Sequence, residues 1–575
     1  MNKKIATIKD FSKGPMNKLS AGSFYHSQNI EFDRRNPYII PAHRFFQEKA
    51  FDDLDYITGS TNYDNSSYLC NTNGEIFKNT AGTWNLIHTV IPAVCNAIFG
   101  DSILDAGTET GDLYYVSNTN VGKFDGLGWT DAWQTLKVNN GTNQATIIKF
   151  LKFICISNLE YLAVYDIGAS SFNNERLKMP NGFNIKWMKA TTDFLIIGAN
   201  HSTLGGIIVL WDGISTTYNS VIDLGDVLSY GADVDNNICY ILTDDGWISA
   251  LVGNSSNLQK LQRFPDYEDR ELSSHSPRLI NSNAVKFYDG LLYFGMTGVV
   301  KDLNKRYTYS GIYVYDPIKN VIYFKNALSG LGVVGNTEST PGTINLIHVD
   351  TYTNLLRVAW TGNNSATPII DILKDSSGSK THYQFGAFII TNFIDGNTAG
   401  RKRFMQIITN LLTELPELST AKIIIRYSES DKISKKIVKV SSGSTNYFLI
   451  GIANSEDIDV GDEVYITEGQ GISQIRNITK KEVSGVNYKF TVDRALDNSK
   501  EFDSSTYVSI SDFKLIEILS GDTFRKDSKL SKFHFRGKRI RLKIEFCSPQ
   551  TSGAGDSIGL RDISSVFVED KIIKI

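Results

Sequence analysis

The chain has 575 residues, of which 41% are hydrophobic, 11% aromatic and 21% charged. This is the composition of a folded globular protein and excludes long disordered stretches, while 46 glycines against 12 prolines indicate many tight turns and few stiff linkers. With 59 basic and 62 acidic residues the formal net charge is −3, which excludes binding of nucleic acid through an overall positive charge.

The amino-terminal residues 1–20 are polar and rich in lysine, without the apolar core of a signal peptide. No apolar run approaches the roughly 18 residues that a membrane span needs. We therefore expect synthesis in a cytoplasm, with no signal peptide and no membrane span. The five cysteines are odd in number, widely spaced and mostly set in apolar runs: Cys70, Cys95, Cys155, Cys239 and Cys547. This pattern predicts buried thiols, not a disulfide framework or a zinc site.

Residues 49–395 carry an imperfect repeat of short β-rich runs joined by glycine turns. Asn73-Gly74 and Asp245-Gly246 separate apolar runs, and such dipeptides favour two-residue hairpins. An aromatic residue followed by aspartate recurs at intervals of roughly 40 to 50 residues, with one longer gap, which is the period of a propeller blade. The pairs are Phe124-Asp125, Tyr165-Asp166, Trp211-Asp212 and Tyr315-Asp316. We interpret them as strand-end packing with a turn carboxylate, and a ligand site is the weaker alternative.

The fold class predicted from these patterns is all-β: a β-propeller of about seven blades, followed by a β-sandwich carrying an inserted small β-barrel. Six or eight blades are the alternatives. The repeats fall near 54–90, 102–136, 144–180, 184–226, 227–265, 281–330 and 343–394. Residues 1–48 form an amino-terminal arm, whose segment 23–40 is expected to pair with the last blade or with the sandwich as a clasp.

The carboxy-terminal third divides into a β-sandwich, over 396–430 and 511–575, and a small β-barrel inserted over 431–510. The segment 538–546 alternates strictly, which predicts a half-buried strand with a solvated basic face. Its apolar members are Ile540, Leu542, Ile544 and Phe546, and its polar members include Arg539, Arg541, Lys543 and Glu545. Helix signals are almost absent, and only Arg403–Leu415 is compatible with either helix or strand.

The sequence offers no catalytic, cofactor-binding or metal-binding residue. The eight histidines never fall at metal-ligand spacing. Asp233–Asn237 resembles the start of a calcium loop, but Ile238 and Asp244 stand where that loop needs glycine and glutamate. Gly469–Gly471 lacks the third glycine of a dinucleotide motif. We predict a protein that is not an enzyme and needs no cofactor. A propeller glycosidase is the weakest alternative, because Asn79–Trp84 keeps the Gly-x-Trp of a sialidase repeat but lacks its aspartate.

Three segments resemble virion proteins of tailed bacteriophages. Gly22–Asp33 is similar to the opening that precedes a propeller in many of them. Arg401–Phe404 and Gly537–Phe546, the latter ahead of Arg561–Ser564, are similar to their closing sandwich. The resemblance implies a structural component of the tail or head–tail adaptor, located in the virion and assembled as a homo-oligomer with other virion proteins. It implies no catalytic residues and no sequence-specific nucleic acid binding. The runner-up is a tail-tip or fibre protein that binds a host receptor or carbohydrate.

Two irregular stretches, Asp266–Pro277 and Met296–Ser310, are the candidate interaction loops. Both flank or interrupt the sixth repeat, so we expect them to emerge near each other at the rim. Charged and tyrosine-rich loops on a rigid scaffold are common recognition sites, because tyrosine adds contact area at low entropic cost. The candidate contact residues are Tyr267, Arg270, Lys305, Arg306, Tyr307 and Tyr309. Two solvated loops without a partner are the alternative.

Overall fold

The structure, a computed structural model, describes residues 4–9, 24–28, 30–32, 39–41, 46–51, 56–92, 94–101, 103–105, 108–253, 257–263, 280–296, 311–327, 343–361, 368–373, 387–391, 394, 402–411, 422–429, 436–468, 475–496, 500–520, 528–537, 539–547 and 560–569. Within these ranges the chain is all-β, with antiparallel strands, two short 3₁₀ turns and no α-helix. Of the stretch 403–415, which was compatible with helix or strand, residues 403–411 belong to the strand Lys402–Leu411, and 412–415 lie outside the described residues. The all-β prediction is confirmed.

Seven four-stranded antiparallel sheets dominate the fold. Five short strands precede them: β1 (Lys4–Lys9), β2 (Phe24–Gln28), β3 (Ile30–Phe32), β4 (Ile39–Pro41) and β5 (Phe46–Ala50). Sheet 1 is β6 (Ile57–Tyr63), β7 (Ser66–Asn71), β8 (Glu75–Thr80) and β9 (Thr83–Thr89); sheet 2 is β10 (Ala97–Gly100), β13 (Leu113–Ser117), β14 (Asn120–Phe124) and β15 (Trp129–Thr135), with the hairpin β11 (Ile103–Asp105) and β12 (Thr108–Thr110) between its first two strands; sheet 3 is β16 (Ile147–Phe150), β17 (Phe153–Asn158), β18 (Tyr161–Asp166) and β19 (Ser171–Lys178).

Sheets 4 to 7 repeat the same order. Sheet 4 is β20 (Asn184–Ala190), β21 (Leu195–His201), β22 (Gly205–Trp211) and β23 (Ser220–Asp223); sheet 5 is β24 (Ser229–Asp235), β25 (Ile238–Thr243), β26 (Trp247–Val252) and β27 (Gln259–Arg263); sheet 6 is β28 (Val285–Tyr288), β29 (Leu291–Met296), β30 (Gly311–Asp316) and β31 (Val321–Ala327); sheet 7 is β32 (Thr343–Asp350), β33 (Leu355–Thr361), β34 (Pro368–Leu373) and the amino-terminal β5. Gly74 and Gly246 adopt a positive φ, but Asn73 and Asp245 do not, and three residues join the strands at each turn where two were predicted.

The first six sheets follow the predicted repeats closely, but the seventh differs from its predicted bounds. The repeat predicted over 343–394 was wrong at its end, because residues 387–391 form a strand of a different sheet. Its fourth position is taken by β5, which pairs antiparallel with β34. Sheet 2 also begins earlier than predicted, at Ala97, because 103–110 is a separate hairpin.

Neighbouring sheets are joined in a closed cycle. The first strand of each sheet contacts the first strand of the next, and β32 contacts β6. Seven polar contacts lie at one edge of the sheets: Tyr63 Oη to Gly111 O at 3.1 Å, Lys149 Nζ to Asp101 at 2.6 Å, Arg176 Nη2 to Ile214 O at 2.8 Å, Thr192 N to Asn237 Oδ1 at 2.9 Å, Phe287 N to Asp233 Oδ2 at 2.6 Å, Tyr288 Oη to Asn354 O at 3.1 Å and Asn62 Nδ2 to Val349 O at 2.8 Å. We call this edge, which carries the turns between first and second strands, the turn face.

A buried polar cluster closes the cycle between sheets 7 and 1. Arg357 donates to the Glu48 carboxylate from Nε at 2.8 Å and from Nη2 at 3.2 Å, and to Asp350 from Nη1 at 2.7 Å. Glu48, on β5, also accepts a hydrogen bond from Trp84 Nε1 of sheet 1 at 3.0 Å. The side chains of Arg357 and Glu48 are only 4% and 7% exposed. Because water barely reaches them, each buried charge is stabilised mainly by the opposite charge of its partner. We call Glu48, Trp84, Asp350 and Arg357 the closing cluster.

The outer strands of these sheets are irregular. Between the third and fourth strands the register shifts in sheets 1, 2, 3, 5, 6 and 7. Such bulges bend an outer strand and make it a poor template for pairing with another chain.

The remaining strands form three sheets: β35 (Ala387–Thr391), β36 (Lys402–Leu411), β37 (Lys422–Ser428), β38 (Lys436–Lys439), β39 (Ser442–Gly443), β40 (Tyr447–Gly451), β41 (Glu463–Glu468), β42 (Ile475–Ser484), β43 (Asn487–Val492), β44 (Tyr507–Ser511), β45 (Lys514–Ser520), β46 (Ser528–Gly537), β47 (Arg541–Cys547) and β48 (Leu560–Glu569). One has the order β3-β4-β48-β36-β46, with β1 on β48, and a second has the order β2-β35-β47-β37-β45. Both contribute to one apolar core that includes Phe404, Ile407, Ile425 and Leu542. Within the predicted clasp segment 23–40, β2 pairs with β35 and β4 with β48, while β3 pairs with β4. Outside that segment, β1 also pairs with β48.

The third sheet has seven strands, in the order β38-β44-β41-β42-β43-β40-β39, and its own core around Phe448, Val464, Phe490 and Val508. The strands that flank it in sequence, β37 and β45, pair with each other. The chain therefore leaves the five-stranded sheet and returns to it through neighbouring strands.

The solvated basic face predicted for 538–546 was wrong. Arg541, Lys543 and Glu545 are 2% to 3% exposed, because the seven-stranded sheet packs against this face and places Glu463 on it. Lys543 Nζ contacts the Glu463 carboxylate, and Arg426 reaches Glu545 at 2.6 Å and Glu463 at 3.3 Å. Burial lowers the pKa of Lys543, whereas the charges of Arg426, Arg494 and Lys543 outweigh burial and lower the pKa of Glu545. Both faces of β47 are therefore buried, one apolar and one charged.

Candidate functional site

The repeated aspartates close the turns between third and fourth strands. Asp125 Oδ1 accepts hydrogen bonds from Leu127 N and Gly128 N, both at 2.9 Å. Asp212 Oδ1 does the same for Ile214 N and Ser215 N, both at 2.8 Å. Asp166 and Asp316 also accept from backbone amides two or three residues ahead. These carboxylates satisfy backbone donors that the tight turn leaves unpaired.

The aromatic partners of these aspartates pack against the preceding sheet. Phe124 of sheet 2 meets Tyr63 of sheet 1, with ring centroids 6.2 Å apart. Tyr165 of sheet 3 meets Tyr114, Trp211 of sheet 4 meets Phe150 and Phe153, and Tyr315 of sheet 6 meets Tyr240. The interpretation of the pairs as strand-end packing with a turn carboxylate is confirmed.

The same turns project apolar side chains from the turn face. Leu127, Ile214 and Ile318, each two residues after its aspartate, are 97%, 81% and 85% exposed. Three exposed aliphatic residues at equivalent positions are unlike the scattered apolar atoms of an ordinary surface, because the repeat itself presents them. We call Leu127, Ile214 and Ile318 the turn tips.

A cavity of about 270 Å³ lies where the first strands meet. The first strands of six sheets, or the residues just before them, line it, and sheet 5 contributes no lining residue. Its wall combines aliphatic side chains with polar ones: Ile98, Ile147, Met188, Val285 and Ile347 with Thr61, Asn62, Lys189, Lys286 and His348.

A set of hydrogen bonds around Thr58, which we call the polar latch, joins several sheets at the end of the first strands away from the turn face. The register shift between Ile57 and Gly59 leaves Thr58 outside the regular ladder of sheet 1. Its carbonyl accepts hydrogen bonds from Gln144 Nε2, ahead of sheet 3, at 2.8 Å and from Asn283 Nδ2, ahead of sheet 6, at 2.7 Å. Thr58 Oγ1 donates to Cys95 O, ahead of sheet 2, at 2.6 Å. One residue thus joins four sheets. No sequence motif identifies Thr58, Gln144 and Asn283, which lie in polar segments without a recognisable pattern.

Charged side chains gather at the opposite end, which we call the cavity mouth: Lys189, Asp233 and Lys286. Asp233 Oδ1 lies 3.0 Å from Lys189 Nζ, and Asp233 Oδ2 lies 4.0 Å from Lys286 Nζ. Burial opposes ionisation of Asp233, but the two ammonium groups and the amide of Phe287 outweigh it and lower its pKa. Asp233 is therefore an anion that binds lysines of neighbouring sheets. The segment Asp233–Asn237, which resembles the start of a calcium loop, is the end of a strand followed by a polar turn.

His348 also lines the cavity but is committed to the structure. Its Nε2 lies 2.9 Å from Ser67 Oγ of sheet 1. Burial, helped by the charges of Arg357 and Lys286, lowers the pKa of His348 to about 3, so the ring is neutral at physiological pH. Within the described ranges no group of three or more His, Cys, Asp or Glu is placed to hold a metal ion. Cys70, Cys95, Cys155 and Cys239 are buried free thiols, as predicted.

The six predicted contact residues Tyr267, Arg270, Lys305, Arg306, Tyr307 and Tyr309 lie outside the described residues. The residues that flank their loops can be placed. Ile280, Val285 and Met296 belong to one core cluster in and beside sheet 6, at the edge opposite the turn face. These described flanking residues thus lie on the same side of sheet 6.

Comparisons with known proteins add little to this geometry. No family model matches the chain, and no curated protein matches it. Similar solved structures include the crystal structure of the computationally designed Ika8 protein, with 12% identity over 56% of this chain and 98% of that chain and a TM-score of 0.33. A TM-score this low supports no conclusion about fold or function. None of the helices in the described part of the chain is long and apolar enough to cross a membrane.

Proposed function

We propose that this chain is a non-enzymatic structural protein of a tailed-phage virion, a part of the tail or of the head–tail adaptor. In this proposal sheets 1 to 7 are the blades of a β-propeller, closed by the amino-terminal strand β5. The cyclic contacts between first strands, including β32 with β6, support seven blades. Four-stranded sheets around a central space are the architecture of a propeller.

The proposed carboxy-terminal half is a β-sandwich with an inserted small β-barrel. A shared core between the six-stranded and five-stranded sheets supports the sandwich. In the seven-stranded sheet the two end strands, β38 and β39, are separated by only two residues in sequence. One continuous segment therefore pairs with β44 on one side and with β40 on the other, which supports a closed barrel.

The cavity chemistry favours a scaffold over a hydrolase. A general acid or base works best with a pKa near the working pH. The titratable groups at the cavity depart from this: His348 has a pKa of about 3, and Asp233 is held as an anion by Lys189 and Lys286. Both serve contacts between neighbouring sheets.

The observation that carries the proposal is the set of turn tips on a cyclic scaffold. Leu127, Ile214 and Ile318 project from the same face of sheets fixed to one another by hydrogen bonds. Exposed aliphatic residues gain free energy when a partner covers them, about 25 cal/mol per Å² of apolar surface. We propose that this face binds a neighbouring virion protein. The assignment to a phage virion rests on the resemblance of 22–33, 401–404 and 537–546.

Immunogold electron microscopy of purified phage particles, with an antibody against this chain, tests the proposal. Label at the neck or along the tail is the expected result. Label confined to the distal tip favours the receptor- or carbohydrate-binding alternative. Particles that contain the chain in neither position, with the same antibody detecting it in the host lysate, overturn the virion assignment.

A further inference from the structure

The cavity mouth carries more positive than negative charge. Lys189 and Lys286 line the cavity, and among the described residues Asp233 is the carboxylate that pairs with both of them. His348, the other ionisable group in the lining, is neutral because of its lowered pKa. The lining and Asp233 together therefore hold one unit of positive charge in excess. A partly enclosed space strengthens the attraction of such a charge for an anion, because less water screens it.

The contacts of Asp233 show that Lys286 is bound less tightly to this carboxylate than Lys189. Asp233 Oδ1 binds Lys189 at 3.0 Å, and Oδ2 accepts the amide of Phe287 at 2.6 Å. Lys286 Nζ stands farther off, at 4.0 Å, with its side chain 42% exposed, against 21% for Lys189. An ammonium group has three donors, and one carboxylate oxygen at 4.0 Å does not use them all.

The shape of the cavity limits what could bind there. The latch of Gln144 and Asn283 on Thr58 joins sheets 1, 3 and 6 at the end away from the turn face, and the two lysines stand at the other end, which we take as the entrance for a ligand. The volume of about 270 Å³ lies at the small end of ligand pockets. Between the latch and the lysines the wall is mixed: aliphatic residues such as Ile98 and Ile147 alternate with polar ones such as Thr61 and Asn62.

We propose that the central cavity binds a small monocarboxylate from the turn face, with its carboxylate on Lys286 and Lys189 and its body against the mixed polar and aliphatic wall. A single negative charge matches the excess of one positive charge. A dianion such as hydrogen phosphate overcompensates it and has no body to contact the wall. This site is independent of the proposed role in a virion, because it depends only on the first strands of the sheets.

Isothermal titration calorimetry at fixed ionic strength tests this with three probes: D-glucuronate, its neutral analogue D-glucose, and inorganic phosphate. The full chain is compared with Lys286→Met, which removes the charge and keeps the length, and with Lys260→Met. Lys260 is a suitable control because it also pairs with an aspartate, Asp245 at 3.4 Å, but lies on the outer strand of sheet 5. Circular dichroism verifies the fold of each variant, and Lys286→Gln replaces Lys286→Met if that variant is unfolded.

The expected result is saturable binding of glucuronate to the wild type and to Lys260→Met, with affinity at least about tenfold weaker in Lys286→Met, since about 1.4 kcal/mol corresponds to tenfold. Glucose and phosphate should bind at least tenfold more weakly than glucuronate. Acetate, a much smaller carboxylate, repeats the titration if glucuronate is too large. Absence of saturable binding with both carboxylates overturns the proposal. Equal binding by wild type and Lys286→Met, or equal binding of glucose or phosphate, also overturns it.

Discussion

Arg357 holds Glu48 with two parallel hydrogen bonds, at 2.8 Å and 3.2 Å, although the two residues are 309 positions apart in the sequence. Paired donors of this kind give an arginine–carboxylate contact both strength and a fixed direction. The contact fixes β5 on sheet 7, and Trp84 extends it to sheet 1. The completeness of the cycle of sheets therefore depends on one glutamate of the amino-terminal segment.

Replacing Glu48 with glutamine should destabilise the protein strongly. The change keeps the shape of the side chain but leaves the buried Arg357 with Asp350 as its acidic partner among the described residues. Breaking a buried pair by removing one partner costs about 3 to 5 kcal/mol. Urea unfolding followed by tryptophan fluorescence measures the loss. Glu175→Gln is the control, because Glu175 and Lys137 are 42% and 45% exposed and such pairs contribute less than about 1 kcal/mol. Equal losses in both variants would contradict the role of the closing cluster.

Stability should fall as the pH drops below 6.5, and His348 should account for much of the slope. The pKa of His348 is about 3 in the folded protein and 6.5 as its ordinary value, so between these values the unfolded chain binds a proton that the folded chain does not. Its contribution is complete above pH 6.5 and is lost as the pH falls toward 3, by up to about 1.4 kcal/mol per pH unit. Asp350, whose pKa the contacts with Arg357 and Thr353 lower to about 2 against the cost of burial, adds a loss only below pH 3.8.

The measurement is the free energy of unfolding from pH 7 to pH 4 in the wild type and in His348→Gln. Glutamine keeps a polar contact for Ser67 but does not titrate, so the variant should show a shallower slope. His201→Gln, at the surface of sheet 4, controls for loss of a histidine. An identical slope in His348→Gln and wild type would refute the assignment.

Excising residues 431–510, with a short Gly/Ser loop in their place, should leave the rest of the chain folded. The paired strands β37 and β45 hold the cut ends together. The face that excision exposes includes Arg426, Lys543 and Glu545, which water can solvate. Far-ultraviolet circular dichroism and size-exclusion chromatography check the product. Soluble monomer is expected, and insoluble protein would show that the inserted unit is integral to the sandwich core.

The turn tips should be needed for assembly but not for folding. Changing Leu127, Ile214 and Ile318 to aspartate removes exposed apolar surface, and exposed substitutions usually change stability by no more than about 0.5 kcal/mol each. Incorporation into particles, measured by complementation of a phage that lacks the chain, should fall at least tenfold. Leu204→Asp is the matched control: Leu204 is 60% exposed in the turn between β21 and β22, at the opposite edge of sheet 4. Normal incorporation of the triple variant would show that the turn face is not a contact surface for assembly.

The loop hypothesis yields a separate test. Changing Tyr307 and Tyr309 to alanine should leave the thermal midpoint unchanged, because the sequence predicts a loop there and loop side chains contribute little to a core. If the loops are contacts, particle assembly or host adsorption should fall in the same complementation assay. Wild-type infectivity of the double variant would reject the loops and leave the turn face untouched.

The repeat was predictable from the sequence because its signals are local. An aromatic residue that packs on the preceding sheet and an aspartate that closes the next turn, as in Phe124-Asp125, stand side by side in every copy that carries them. The pairing of β5 with β34 has no such local signal, because hundreds of residues separate the two strands. The seventh repeat was therefore completed with the wrong strand.

The candidate site escaped sequence analysis for a different physical reason. The alternation at Arg541, Lys543 and Glu545 is the same whether the polar face meets water or another charged surface, so it could not reveal Glu463. Lys189 and Lys286 sit in ordinary strands, and only the cyclic arrangement brings them to one carboxylate. Thr58 is distinguished by a register shift, which depends on its partner strand.

The position of β5 also governs how the chain can be made. Residues 46–50 leave the ribosome early, but their partner at 368–373 follows more than 300 residues later, and at 5 to 20 residues per second the wait lasts on the order of tens of seconds. During this time β5 is an unsatisfied strand that chaperones or stray sheet edges could engage. The strand β1 waits longer still, for β48 at 560–569. A chain cut short by premature termination therefore leaves its amino-terminal strands unpaired, so cellular quality control can recognise it before it joins an assembly.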